Sequence, residues 1–422
     1  MKILTLSSMY HPYQYGGAET VLKTISEGFV ERGHQVQVLA SVPRGEEREI
    51  NTNGVKTHFL PSQSFYWPFD KQPRSDLKKL LWHAQNIRNY RMAKLVAAEV
   101  VRFKPDVMVT HNLLEFSIAA WEAVQAAGVP IVHVLHDYGL LCPRTTIFRN
   151  GQICTGQPDQ NKIDPAKRCT SCKLLSVGKQ GATAFIDGVV GVSQAVLDVH
   201  LSAGYFEHTP IRQIINNALP EHDLHHFIER DYQSKTEITI GFIGKLVPDK
   251  GIEVLLESLA HIQTQRKWKL LIGGSADPSY LAALKMRFPQ SNIEFLGFIK
   301  SVDFYPKIDL LVVPSIWRDP YPTVIFEAYS YGLPVFGSQR GGIPEAILAG
   351  KTGELFEPDS PNELGALLTK FIEQPGLLQA YVEPVRQELS RYNISRQIDE
   401  HLSLYQRVLA QHAQTLNKRN PE

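Results

Sequence analysis

Long apolar runs are missing from this chain of 422 residues: no stretch approaches the roughly 20 consecutive apolar residues that cross a bilayer. The first apolar segment, residues 3–6, follows Lys2 directly and is too short for the core of a signal peptide. The chain is therefore expected in the cytoplasm, with room for peripheral contact at the inner face of a membrane. An excess of one charge is missing too. Lys and Arg number 44 against 43 Asp and Glu, a net charge of +1, which argues against nucleic acid as a partner. A local basic pocket for a phosphorylated small molecule stays open. Cysteine is scarce, with four residues all between Cys142 and Cys172, and disulfides would be unusual in a reducing compartment. No Gly-x-Gly-x-x-Gly follows the first strand-like segment, which disfavours a nicotinamide dinucleotide. Short-period repeats and low-complexity tracts are absent.

What is present is an ordinary globular composition, 43% hydrophobic and 21% charged, with 29 Gly and 26 Pro. The length suits two domains. Short β-branched runs at residues 2–8, 35–41, 55–61, 107–112, 131–137, 188–193 and 212–218 alternate with segments of helical spacing such as 20–32 and 116–127. The pattern restarts with strands at 237–244, 267–274, 292–297, 310–315 and 334–338. Strand–helix alternation of this kind predicts an α/β fold: two tandem Rossmann-like, doubly wound domains with the site in a cleft between them. The expected divisions are 1–220, a polar linker at 221–236, 237–392, and a C-terminal helical segment 393–422 packing back toward the first domain.

Motifs at strand ends carry the chemistry. The run from Gly241 to Gly251 leaves the first strand of the second set and enters a helix, with Asp249 as a plausible N-cap. A helix N-terminus flanked by Lys245 and Lys250 suits a diphosphate; the bland alternative is two solvated lysines. Gly16-Gly17-Ala18-Glu19, after the first strand, lets backbone approach a ligand closely or merely turns the chain. Asp319 and Glu327 lie eight positions apart after the strand at 310–315. Pro322 suits the first turn of a helix that would carry Glu327, and a carboxylate there can accept the two hydrogen bonds of a ribose diol.

Taken in order, these pieces resemble the family 4 retaining glycosyltransferases of GT-B fold over nearly the whole length. The resemblance rests on Gly16-Gly17-Ala-Glu, Arg32-Gly33-His34-Gln-Val, His136-Asp137, Val192-Ser193, Asn216-Asn217, the Gly244-to-Gly251 stretch, the acidic pair with its Glu-Ala-x-x-x-Gly-x-Pro tail, and Gly341-Gly342-Ile-Pro-Glu345. It implies that Lys245 and Lys250 hold the donor diphosphate, Glu327 the ribose, and Asp319 faces the transferred sugar. It also implies phosphate contact by the Thr323 and Val324 amides, a base flanked by backbone near Phe298 and Ile299, a donor-side role for Gly16 and Gly17, and a sugar contact from His136. The implied reaction moves a hexose from a nucleoside diphosphate sugar to an acceptor hydroxyl, with retention and front-face attack, in cell-surface polysaccharide or glycolipid synthesis. No cofactor is implied for catalysis. The family usually has Arg at Lys245 and Glu at Asp319, which leaves the donor-sugar preference open.

Cys142, Cys154, Cys169 and Cys172 follow the spacing C-x11-C-x14-C-x2-C within an insert at 140–173. Four thiolates could hold a structural zinc ion; an iron–sulfur cluster or free thiols are the alternatives. The insert is expected to border the acceptor side, where the partner would be a carbohydrate or lipid-linked acceptor. Residues 74–94 form a basic amphipathic stretch with Leu77, Leu80 and Leu81 on its apolar face. It reads either as a membrane interface or as a helix packed on the core with a solvated basic face. Competing classes are a nucleotide-sugar epimerase, which would need an acid–base pair beyond His136, and a non-catalytic nucleotide-sugar-binding protein.

Overall fold

The computed structural model describes residues 1–13, 16–70, 72–154, 161–260 and 262–419, with side chains to 415. Residues 155–160 of the cysteine insert and the last three residues of the C-terminal segment lie outside the described residues. The chain divides into two compact units: residues 1–147, 154–217 and 394 onward, and residues 148–153 and 218–393. Both are α/β with parallel sheets. Among the described residues, no helix is long and apolar enough to cross a membrane.

The strands in chain order are β1 (Lys2–Leu6), β2 (Gln35–Val42), β3 (Arg48–Thr52), β4 (Val55–Pro61), β5 (Val107–Thr110), β6 (Ile131–Leu135), the short hairpin β7 (Phe148–Arg149) and β8 (Gln152–Ile153), β9 (Gly188–Gly191) and β10 (Ile211–Ile214). The first unit's sheet has the order β10-β9-β6-β5-β1-β2-β4-β3, parallel except where β3 meets β4. Strands β5, β6 and β9 are buried at every residue, as expected of a parallel sheet covered on both faces. Edge strand β3, Arg-Glu-Ile-Asn-Thr, is half exposed and too polar to stand out in a hydropathy reading. Its signal was the turn: Asn53 and Gly54 both have positive φ, 52° and 81°, the two-residue hairpin chemistry that Asn-Gly favours. The helix Ile394–Arg419 belongs to this unit. It lies on the helix Gly17–Glu31, where a Cβ at Gly28 would sit 2.1 Å from Ile398, and Arg32 pairs with Asp399 at 3.0 Å.

The second unit continues with β11 (Glu237–Ile243), β12 (Lys267–Gly273), β13 (Ile293–Gly297), β14 (Leu310–Val313), β15 (Val335–Ser338) and β16 (Gly353–Phe356). The order β13-β12-β11-β14-β15-β16 is parallel throughout. Its core gathers Ile240, Leu256, Leu270, Leu310, Phe336 and Phe371. Strand β16, only four residues and opened by a glycine, escaped the periodicity reading. The polar stretch 221–236 is not a free linker. Tyr232 is buried in this core and donates its hydroxyl to the Asp309 carbonyl at 2.6 Å, so the stretch is built into the second unit.

The basic stretch 74–94 is also corrected. It is two helices, Asp76–Gln85 and Tyr90–Phe103, the second started by the Asn89 side chain, which accepts from the Met92 amide at 3.2 Å. Trp82 alone is buried in the first helix, while Leu77, Leu80 and Leu81 are 66%, 52% and 47% exposed. The apolar face does not pack on the core.

Candidate active site

In a doubly wound sheet, ligands gather outside the strand carboxyl ends where the strand order reverses. In the second unit that point lies between β11 and β14, which pair through Ile240 and Leu310. Strand β11 runs into Gly244 and Lys245; β14 runs into Ser315 and Asp319. The two loops meet there. Lys250 Nζ lies 2.5 Å from Asp319 Oδ2, and its ammonium sits 5.2 Å from the centroid of the Trp317 ring. Ser315 donates to the same carboxylate at 3.4 Å.

Glycine makes this approach possible. Gly251 has φ 71°, and a Cβ there would fall 1.8 Å from the Pro314 carbonyl oxygen. The Ile316 amide then donates to the Asp249 carbonyl at 3.0 Å, tying loop to loop. Gly341 (φ 57°) presses against the Asp319 backbone, with the Gly342 amide donating to the Asp319 carbonyl at 2.8 Å. These two glycines thus hold Asp319 from behind, a task that their sequence motif did not reveal.

Two local expectations change. Asp249 is not an N-cap: it sits in a 3₁₀ turn, Pro248–Lys250, and the helix Ile252–Ala260 starts after the left-handed Gly251. Its buried Oδ1 has no hydrogen-bond partner, and burial raises its carboxyl above the ordinary range. Pro322 lies just before the helix Val324–Ser330 rather than within it, and Glu327 occupies that helix's first turn.

Glu327 is held by three hydroxyls. Thr323 donates to Oε1 at 2.8 Å, and Ser301 and Tyr305 each donate to Oε2 at 3.1 Å. A diol binding this carboxylate must therefore turn one of those hydroxyls aside. Ser301 and Tyr305 went unnoticed in sequence because nothing local links them to Glu327. The Thr323 and Val324 amides carry no hydrogen bond among the described residues, so their donors are open. Lys245 is exposed. Ile299 is half-buried, its Cγ2 only 2.7 Å from where a Cβ on Gly273 would stand, and the neighbouring Phe298 is 83% exposed.

In the first unit the strand order reverses between β1 and β5. Gly16 and Gly17 are exposed at the start of the helix Gly17–Glu31. The Gly16 amide already donates to Glu19 Oε2 at 2.7 Å, so an incoming anion must displace the chain's own carboxylate. His136, after β6, shares a hydrogen bond of 2.8 Å with His111, after β5, and the rings stack. Burial lowers both, His136 to about 4 and His111 well below the ordinary value, so the pair is neutral at physiological pH.

Beside them a small cavity of about 50 Å³ is lined by His83, Asn112, Asp137, Cys142, Leu175 and Lys179, among others. Asp137 accepts from the Gly139 amide at 2.6 Å and from Asn112 at 3.4 Å; burial pushes its carboxyl up to about 6. Lys179 Nζ donates to the Gly139 carbonyl at 3.1 Å, and burial lowers its ammonium to about 8. Lys179 and Asn112 were missed in sequence. The only available signal was Asn112's place at the end of a strand.

The cysteines fall partly together. Cys142 and Cys172 hydrogen-bond through their side chains, and the Cys172 amide donates to Cys169 Sγ at 3.4 Å. The bond from Cys172 lowers the Cys142 thiol to about 6. All four cysteines are unoxidised. Among the described residues, no group of three or more Cys, His, Asp or Glu side chains is arranged to hold a metal ion.

Comparison with known proteins identifies the family and the fold. Residues 15–216 match the model described as Glycosyltransferase Family 4, and residues 226–388 match the model of Glycosyl transferases group 1. An uncharacterized 42.6 kDa protein in the cps region of Klebsiella pneumoniae is 30% identical over 345 residues, covering 82% of this chain and 87% of that one. Among solved structures, sucrose-phosphate synthase from Thermosynechococcus elongatus superposes with a TM-score of 0.76 at 18% identity, over 97% of this chain and 99% of that one. Anabaena HepE, in complex with UDP and glucose, gives a TM-score of 0.66 at 21% identity, over 96% and 99%. Both are glycosyltransferase-like in fold, with two α/β domains of the GT-B kind. The chain belongs to the glycosyltransferases that join a family 4 domain to a group 1 domain.

Proposed function

We propose that this protein transfers a hexose from a nucleoside diphosphate sugar to the hydroxyl of a carbohydrate or lipid-linked acceptor, with retention of configuration, in cell-surface polysaccharide or glycolipid synthesis. The observation that carries the reading is the set of Lys250, Asp319 and Glu327 at the switch point of the second sheet, each held by a neighbour. As the glycosidic bond breaks, negative charge grows on the departing diphosphate. A cation fixed in advance at that place stabilises the transition state more than the ground state. The open Thr323 and Val324 amides add two donors. Lys245 supplies a second charge, though without the bidentate geometry of an arginine.

Glu327 is suited to the ribose and Asp319 to the sugar. Front-face attack, with a donor phosphate oxygen taking the acceptor proton, needs neither a side-chain nucleophile nor a metal. The HepE structures, titled as complexes with UDP and with UDP-glucose, support a nucleotide-sugar donor. A cytoplasmic location, with peripheral membrane contact through Leu77, Leu80 and Leu81, completes the reading. Their exposure supports that contact.

The same proposal keeps a structural zinc ion for Cys142, Cys154, Cys169 and Cys172. Zinc would cross-link a segment with few hydrophobes. The side-chain contact of Cys142 with Cys172, and the Cys172 amide's approach to Cys169 Sγ, support this reading.

Titration calorimetry of the full chain with UDP, other nucleoside diphosphates and their sugars tests the donor. Saturable binding of at least one activated sugar, followed by transfer from it, is expected. Absence of binding by every nucleotide and activated sugar would overturn the proposal.

A further inference from the structure

The Gly341–Gly342 turn that backs Asp319 has an anchor of its own. The chain leaves β15 through Gln339 and Arg340, and the Arg340 side chain is only 1% exposed. Burying a cation is costly unless it is paired. Two carboxylates that follow β16 pair it: Nη2 meets Asp359 Oδ2 at 2.7 Å and also the Glu357 carboxylate. Nη1 donates to the Gln339 carbonyl at 3.0 Å, so the guanidinium grips its own backbone. The planar fork sets direction as well as distance, which the point charge of a lysine does not.

From that anchor the contacts run to the site. The Gln339 amide donates to the Phe356 carbonyl at 2.8 Å and the Ile343 amide to the Arg340 carbonyl at 3.2 Å, which ties the turn at both ends. Between them Gly341 leaves no room against Asp319: a Cβ would fall 2.3 Å from the Asp319 carbonyl oxygen. The Gly342 amide donates to that same oxygen at 2.8 Å. A second route from β15 starts at Ser338, whose hydroxyl donates to the Ser315 carbonyl at 2.6 Å, while Ser315 Oγ reaches Asp319 Oδ2 at 3.4 Å. Asp319 in turn holds Lys250. A misplacement of about 1 Å at such a charge can cost on the order of 10²-fold in rate, so what fixes the turn matters to the ammonium.

We infer that Arg340 is a positioning residue of the donor site: clamped by Glu357 and Asp359, it holds the Gly341–Gly342 turn against Asp319 and, through Asp319, aims Lys250. The inference rests on the transferase reading above and deepens it with a residue that acts through another. A plain tie between β15 and β16 would secure the Gln339 amide and stop there.

Hydrogen exchange on the full chain separates the two, because it needs no donor. In Arg340→Met the Asp319 and Gly342 amides, bonded here to the Trp317 and Asp319 carbonyls, should exchange about ten-fold faster, with β11 and β12 of the same unit unchanged. Arg340→Lys should fall between. Turnover with an active donor should drop in R340M by about the same factor. Faster exchange confined to Gln339 and residues 353–359, with Asp319 and Gly342 protected as in the wild type, would overturn the inference. So would a uniform rise across the unit, or undiminished turnover in R340M. Should R340M fail to fold, Asp359→Asn removes one partner at a position 66% exposed and is read at the same amides: faster exchange at Asp319 and Gly342 supports the clamp, and unchanged exchange there sinks it. A wild-type chain that binds no nucleotide and no activated sugar would sink the donor proposal instead, while the exchange result stands, so the two failures are distinguishable.

Discussion

Lys250 Nζ stands 2.5 Å from Asp319 Oδ2, and the carboxylate it meets is only 4% exposed. The aspartate fixes the direction of the ammonium, and the Trp317 ring closes over it. Cation and carboxylate therefore depend on one another.

Lys250→Ala should lower turnover by about 10²-fold or more, since it removes a preorganised charge from a developing anion. It should also cost about 1–2 kcal/mol of stability, because Asp319 is left buried without its cation; the figure is discounted for the 30% exposure of the lysine. Combining it with Asp319→Asn should recover much of the stability and none of the turnover. Urea unfolding and steady-state kinetics on the two variants check both halves, and near-normal turnover in K250A would remove this lysine from the mechanism.

A contrast between two glycines isolates the loop contact. Gly33 has φ 80° with nothing near its missing Cβ, whereas Gly251 has φ 71° with the Pro314 carbonyl 1.8 Å away. Gly33→Ala should cost only the left-handed backbone penalty, about 1 kcal/mol. Gly251→Ala adds a backbone clash at the donor loop and should cost about 2–4 kcal/mol, with a matching loss of UDP affinity. Equal melting temperatures for the two variants would contradict the packing described for β14.

Glu115 provides a pH signature. Burial raises its carboxyl from 4.5 to about 7, with Ser62 donating to one oxygen at 2.5 Å and the other oxygen left without a partner. The folded state holds this proton more tightly than the unfolded chain. Its stability contribution is therefore full below the unfolded value and is lost as pH rises through about 7. The difference amounts to about 3 kcal/mol at most. Glu115→Gln keeps the hydrogen bond and should flatten the decline between pH 4.5 and 7. Denaturant midpoints of both proteins across that range measure it; parallel curves would place the titration elsewhere.

Purified protein should contain about one zinc per chain by elemental analysis if the cysteine segment is a metal module. A chelator strong enough to remove it should then expose four reactive thiols. Protein without metal and with four freely titrating thiols would leave the contacts among Cys142, Cys169 and Cys172 as ordinary hydrogen bonds.

The sequence by itself determined most of the strands, both α/β units, and the loops that bear Lys250, Asp319 and Glu327. Hydropathy periodicity, glycine turns and strand-end motifs act over a few residues and are legible in a string of letters. Only the tertiary structure decided who meets whom. Lys250 finds Asp319 69 positions away, and Lys179 finds Gly139 40 positions away. Those meetings depend on which strands become neighbours and on backbone contacts at Gly251 and Gly341, which no local pattern encodes. The stretch 221–236 shows the same limit, since its polar composition reads as a linker until Tyr232 is seen to fill the second core. So do Leu77, Leu80 and Leu81, whose helical spacing says that they share a face but not whether anything covers it.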